Sequence, residues 1–343
     1  MLADGKSAHT IKWAKELVKY YDVYVVSLNG FSDELRNLLG AARAIEYNVA
    51  VNVSGGNVGA LKSVGFVRNL IKELKPAVVN AHYITSYGTV ACLAAMLSGY
   101  GGKVVLSTWG TDVLVTPFKN KLYYYLTKFI LKRATWVTSD SDYMTDIIWK
   151  IEPKAKVMTF PFGIEVMPEM TEDDKDDRLF FSNRALEENY NIDKVINLFY
   201  DFYQKDNSCQ LVIAHDGTQR EGLTGMVDSL GLSDNVRFVG YLTAQQMDDY
   251  YKRSRYYISI PTSDSTSVSL LEAMAHGCVP IVSDLPANRE WIEDGVNGIL
   301  YKGGSVDLTS VDQQMVFDKN RDMIARRAIW QDIIAEYIKE LER

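Results

Sequence analysis

The sequence predicts an α/β protein of two domains, each a doubly wound parallel sheet with helices on both faces. Three observations carry this expectation. The chain has 343 residues, more than one hydrophobic core usually serves. Strand-like runs rich in β-branched and aromatic residues alternate with helix-length stretches, the pattern of parallel sheets whose crossovers are helices. YYISIP, TSDSTS, VSLLEAMAHG and VPIVSD, between Tyr256 and Asp284, read in turn as strand, polar loop, helix closed by Gly277, and strand. In a doubly wound sheet such a loop lies at the strand's carboxyl end, where a following helix offers unpaired amides and a positive dipole end to an anion.

Taken in order, Met1–Gly5 reads as the last residues of a strand running into a loop, the strand being shortened either naturally or because the true start lies upstream. The helix SAHTIKWAKELVKYY follows, with Ile11, Ala14, Leu17 and Val18 on one face. Gly5-Lys6-Ser7 is not read as a phosphate loop, because no glycine stands five positions before Gly5. Strand-like runs begin at Val23, Ala77, Lys103, Trp136 and Lys156. Between them, LKSVGFVRNLIKELKP stops at Pro76 and YGTVACLAAMLSGYGG stops in glycines, both ordinary helix ends. The acidic MPEMTEDDKDDR, Met167–Arg178, reads as a linker. A second series opens with LFFSNRAL at Leu179 and continues with QLVIAHDG and VRFVGYL; His215 within it is expected to pack or cap. One amphipathic helix from Asn320 closes the chain.

The net charge of −7 hides an asymmetry: Met1–Gly163 carries 19 Lys and Arg against 12 Asp and Glu, or +7, while the remainder carries 18 against 32, or −14. A basic half suits an anionic partner or membrane surface but is too weakly basic to imply nucleic acid. Cys92, Cys209 and Cys278 have neither metal nor redox spacing and read as buried free thiols in a reducing compartment. No basic-then-apolar leader opens the chain and no run approaches a membrane span, so a cytoplasmic location is expected, and the Asn52-Val53-Ser54 triplet reads as a chance glycosylation match. HExxH, paired cysteines, GxSxG and the kinase glycine set are all missing, which removes metal hydrolysis, dithiol redox and serine-nucleophile chemistry.

The helix 117–133 combines Lys119, Lys121, Lys128, Lys132 and Arg133 with Tyr123, Tyr124, Tyr125 and Phe129. Two readings stand. It is a helix lying on an anionic membrane, which gives a peripheral contact, or a core helix with a solvated Lys face. The stripe Leu122, Leu126, Phe129 and Ile130 favours the second.

The stretch from Pro261 to Leu300 resembles the signature of retaining glycosyltransferases of family 4, with Asp264 and Glu272 as its paired acids, then Ala273–Ala275, Gly277, Pro280, Glu290, Asp294-Gly295 and Asn297-Gly298. The resemblance covers nearly the whole chain. It implies the GT-B fold: two Rossmann-like domains facing a cleft, an acceptor domain 1–163, a nucleotide-sugar domain 164–325, and a helix 326–343 crossing back to the first.

It also implies roles. Glu272 would bind the ribose, the amides of Ser265, Thr266, Ser267 and Val268 the sugar and diphosphate, and Tyr241 and Leu242 the base, with Gly5 in the donor loop. Asp264 and Arg184 would act at the reacting centre. Trp109 stands where many members have a His, a pattern associated with a surface-polysaccharide subgroup; it would supply a wall beside the sugar, or else simply pack at a domain edge. His82 and Asp112 fall on the acceptor side. The sequence departs from the family at Asp264, usually Glu, at Ser265, usually Gly, and at Asn189 and Tyr190, where a Lys is expected after Arg184.

The expected activity is metal-independent, retaining transfer of a sugar from a nucleotide-sugar, UDP-linked by preference, to a glycan or lipid-linked acceptor, with no cofactor. The alternatives are a non-catalytic relative that binds nucleotide or a partner enzyme, and a sugar-nucleotide epimerase.

Overall fold

A computed structural model describes residues 1–49 and 58–343, so the Asn52 triplet lies outside the described residues. The chain divides into two compact units, one of Met1–Phe160 with Glu336–Arg343, the other of Pro161–Ala335.

In the first unit the strands are β1 (Val25–Ser27), β2 (Ala44–Glu46), β3 (Val78–His82), β4 (Lys103–Ser107), β5 (Trp136–Ser139) and β6 (Val157–Thr159), all parallel to their neighbours. β1 pairs with β2, and β3 to β6 pair in sequence order. Leu2 bridges Val26 on one side and Ala81 on the other and so joins the two ladders. Its amide and carbonyl bond to Asn80 and His82 at 2.7 and 2.9 Å. The point where strand order reverses therefore falls between Leu2 and β3, with Gly5 and His82 at the carboxyl ends on its two sides.

The second unit holds β7 (Asp176–Ser182), β8 (Gln210–Ala214), β9 (Val236–Gly240), β10 (Ser254–Ser259), β11 (Val279–Ser283) and β12 (Ile299–Tyr301) in one parallel sheet of order β12-β11-β10-β7-β8-β9. Order reverses between β7 and β10, the position at which open α/β sheets bind ligands. Both faces are covered. Phe180, Ile213, Ile258 and Ile281 lie in one core, while Phe181, Val212 and Tyr257 lie in another across the sheet, as the near-continuous apolar runs require.

Several expectations need correction. The last residues assigned to the linker, Asp176–Arg178, begin β7. The closing helix is two helices, Gln313–Arg327 and Trp330–Glu342. The break is held by Ile164, whose amide bonds to the Ala328 carbonyl and whose carbonyl accepts from Trp330, both at 2.8 Å. Cys92, Cys209 and Cys278 are free and buried. No helix among the described residues is long and apolar enough to cross a membrane.

Candidate functional site

In the second unit the strongest cluster spans the reversal point. Arg184 leaves the carboxyl end of β7, and Asp264 leaves that of β10 through the loop Ile260–Ser267. Their side chains pair at 2.7 Å between Nη2 and Oδ2, only 11 % and 23 % exposed. The Arg184 Nη1 also donates to the Ser267 hydroxyl. Burial works against the guanidinium charge, but the Asp264 carboxylate and the phenols of Tyr257 and Tyr190 outweigh it and raise the Arg184 pKa.

Where a second cation was expected, Asn189 and Tyr190 serve as braces. Asn189 accepts the Thr262 amide on its carbonyl at 2.7 Å and the Ser263 amide on its side-chain oxygen at 3.3 Å, and its side-chain amide donates to the Ser263 carbonyl at 3.0 Å. The Arg184 guanidinium lies 4.5 Å over the Tyr190 ring. The site thus holds its arginine rigidly at the switch point.

Ser267 caps the helix Val268–Ala275, on which Glu272 is the fifth residue. That puts it roughly one and a half turns along. Ser265, Thr266 and Ser267 are buried. The Ser265 amide donates to the Asp264 Oδ1 at 3.0 Å, and Thr266 Oγ1 accepts from the Trp291 indole at 3.3 Å. Val268 begins the helix and is half-buried.

Behind Glu272 runs a polar chain that sequence reasoning missed. The Tyr257 hydroxyl donates to Asn183 Oδ1 at 3.0 Å, and Asn183 Nδ2 donates to the Tyr251 oxygen at 2.7 Å. The Tyr251 hydroxyl lies 3.1 Å from both the Ser269 carbonyl and Glu272 Oε2. Burial, reinforced by the Glu272 charge, raises the Tyr251 pKa well above the usual phenol range. Tyr251 therefore stays a donor and fixes the carboxylate's orientation.

At the neighbouring carboxyl ends, His215 follows β8 with a φ of +81°. A non-glycine residue in this region is strained and such residues gather at functional sites. Its ring meets Tyr241, after β9, at 4.6 Å. Tyr241 is 72 % exposed and Leu242 is half-buried.

In the first unit, Gly5 donates its amide to Ser27 Oγ at 3.0 Å. A Cβ there would stand 2.5 Å from the Gly30 carbonyl and 2.6 Å from the Phe31 ring, so only glycine fits. His82 is 1 % exposed, with Trp13 and Trp109 edge-on at 5.3 and 5.4 Å. Among the described residues neither His82 nitrogen nor the Trp109 indole nitrogen has a hydrogen-bond partner. Burial above all, then the Met1 amino group and His9, push the His82 pKa down to about 3. His82 is thus a neutral imidazole.

Asp112 is fully buried, and its oxygens accept the Trp109 amide at 2.9 Å and the Ile84 amide at 2.8 Å, which ties two loops together. Burial pushes its pKa up to about 6 in spite of these amides. Tyr83, between His82 and Ile84, has a φ of +67°. Among the described residues no group of three or more His, Cys, Asp or Glu side chains is placed to hold a metal ion.

Comparison with known proteins bears on both units. Residues 1–141 match the family described as "Glycosyl transferase 4-like", and residues 164–312 match "Glycosyl transferases group 1". The alpha-monoglucosyldiacylglycerol synthase of Streptococcus pneumoniae is 25 % identical over 194 residues, covering 52 % of this chain but only 44 % of the relative, so less than half of that protein's length is matched. The GDP-mannose:cellobiosyl-diphosphopolyprenol alpha-mannosyltransferase of Xanthomonas campestris is 20 % identical, with 77 % and 73 % of the two chains covered. Among solved structures, Anabaena HepE in complex with UDP superposes with a TM-score of 0.77 at 14 % identity, over 99 % of this chain and 98 % of that one.

Proposed function

The chain belongs to the family 4 type of glycosyltransferases with the GT-B fold, and from that premise we propose that it moves a sugar, with retention of anomeric configuration, from a UDP-sugar to a glycan or lipid-linked acceptor in cell-surface polysaccharide synthesis. The observation that carries this reading is the Arg184, Asp264 and Ser267 cluster at the switch point of the second sheet, with Glu272 roughly one and a half helix turns beyond.

The proposed chemistry needs charge stabilisation at a leaving diphosphate. The bond between the sugar's C1 and the phosphate oxygen breaks, and the electrons go to the diphosphate. Arg184 and the amides opening the helix at Val268 meet that charge as it develops. The acceptor oxygen bonds to C1 from the same face and its proton passes to the departing phosphate oxygen. Asp264 orients the sugar, Glu272 holds the ribose, and Tyr241 with His215 offers a ring surface to the base. No residue in this scheme requires a metal, so chelation by EDTA is expected to leave turnover intact. UDP is favoured because HepE carries it, and a lipid-borne acceptor because the two curated relatives are named for diacylglycerol and polyprenol substrates. The reaction is assigned to the cytoplasm, at the inner membrane face when the acceptor is lipid-borne.

One observation favours a second reading, a relative that binds nucleotide without turnover: Arg184 is already paired with Asp264, and Asn189 and Tyr190 supply no further cation. The deciding experiment is calorimetric titration with UDP, GDP and ADP beside Glu272→Ala, followed by incubation with UDP-sugars and membrane-derived acceptors. UDP should bind selectively, and Glu272→Ala should weaken it about ten- to a hundredfold, the worth of a charged hydrogen bond. Equal affinity in the variant would remove the ribose assignment. Binding of no nucleotide would remove the donor site, and binding without product would select the second reading. An inverted product linkage by NMR would overturn retention.

A further inference from the structure

The helix Lys121–Leu131, capped by Asn120 Oδ1 accepting the Tyr123 amide at 3.0 Å, buries Thr127, Ile130 and Leu131 against the first unit's core. Leu126 and Phe129 pack partly against that core. The fourth member of the stripe expected to be buried, Leu122, is instead 75 % exposed. Tyr125 on the next turn is 65 % exposed, and Phe118, just ahead of the helix, is 57 % exposed. On the helix, Leu122 and Tyr125 stand at i and i+3 and share one face, while Phe118 ends the short turn Thr116–Phe118 that precedes it. Water gains nothing from such a row, and contiguous exposed apolar surface marks a place of contact.

Its border says contact with what. Lys121, Lys128 and Lys132 follow helical spacing and run alongside the apolar row, and Lys119 and Arg133 stand at its ends. No acidic residue occurs between Asp112 and Asp140. Among the described residues, Lys121, Lys128 and Lys132 form no salt bridge. Lysine is depleted from the centres of protein interfaces, whereas a lysine-flanked apolar stripe suits the boundary between lipid headgroups and acyl chains.

We propose that this face docks the protein on an anionic lipid bilayer, with Phe118, Leu122 and Tyr125 entering the headgroup–acyl boundary and the flanking lysines meeting lipid phosphates. The docking does not depend on which sugar or base is used, and it stands or falls separately from the glycosyl-transfer reading.

The test is co-sedimentation of the full chain with vesicles of phosphatidylcholine alone or mixed with phosphatidylglycerol, over a range of salt. Binding to the mixed vesicles only, weakening as salt rises, is expected. Removing three cations together in Lys121→Gln/Lys128→Gln/Lys132→Gln should lower partition about a hundredfold, since one lysine near such a surface contributes about fivefold. Leu122→Ser/Tyr125→Ser should lower it with the salt dependence kept. A Leu122→Trp reporter should shift its emission to the blue on mixed vesicles, which a misfolded or merely adhering chain does not produce. Equal binding of the triple-lysine variant, no binding by a chain with native circular dichroism, or an unshifted reporter overturns the proposal. So does vesicle-independent dimerisation lost in Leu122→Ser/Tyr125→Ser, which would assign the face to a second copy. Retention on an acidic peptide resin without vesicle binding would assign it to a protein partner and likewise end the proposal.

Discussion

Asp264 pairs with Arg184 at 2.7 Å, so on the proposed reading the diphosphate competes with a carboxylate for the guanidinium. Asp264→Asn keeps the shape and removes that competition. UDP should then bind several-fold more tightly while transfer is lost, because the sugar loses its orienting acid. Titration with UDP and a turnover assay on the same variant decide it; weaker UDP binding would mean that Asp264 aligns Arg184 instead of occupying it. At this scale Asp264 and Glu272 were legible as loop and helix residues from the strand, loop, helix pattern, whereas Arg184 was singled out through the family resemblance alone. Asn183 and Tyr251 were not legible. Each looks like an ordinary strand-end or helix residue, and their bond joins positions 68 residues apart. Only folding shows that Glu272 is aimed by a tyrosine.

Single elements show where local pattern is enough and where it fails. The helix Val268–Ala275 ends where the sequence said, at Gly277, whose φ is +67°. A Cβ at that position would stand 2.1 Å from the Phe317 ring. Gly277→Ala combines an unfavourable backbone region with a clash against a packed aromatic, and should destabilise the protein by about 2 kcal/mol or more. Urea unfolding checks this; a change under 0.5 kcal/mol, roughly the scale of neutral surface substitutions, would show that the Phe317 side yields freely. The break at Ala328 and Ile329 was not legible, because the backbone that interrupts the helix belongs to Ile164, far back in the chain. Leu122 was misassigned for a related reason: a 3.6-residue period says which residues share a face, not how wide a neighbouring core is.

For the whole molecule, the α/β class followed from alternation alone, and strand order reversed where the carboxyl-end loops carried polar residues. The three-residue strands β1, β2, β6 and β12 carry too little pattern to be bounded in advance. Global stability has a pH signature that composition hides. His82 titrates near 6.5 in an unfolded chain but at about 3 when folded, so the folded state binds fewer protons in that window. The stability contributed by neutral His82 is complete above about pH 6.5 and is lost progressively as pH falls toward 3, at up to about 1.4 kcal/mol per pH unit. Asp112, pushed up to about 6, acts with the opposite sign, gaining stability as pH falls from 6 toward its ordinary value. His82→Phe removes the first effect only. Urea unfolding at pH 7, 6 and 5 should show wild type losing ground to this variant on acidification, and parallel curves would contradict the neutral, buried imidazole.

The shared carboxylate of Asp112 has a practical consequence for anyone wishing to exchange loops of the first unit. Because one side chain anchors both Ile84 and Trp109, the segments around 83–88 and 109–112 form a single cassette. A chimaera importing either one alone would leave a buried oxygen without its amide, at a cost of about 1–3 kcal/mol, so donor sequences from a relative are best exchanged as a matched pair.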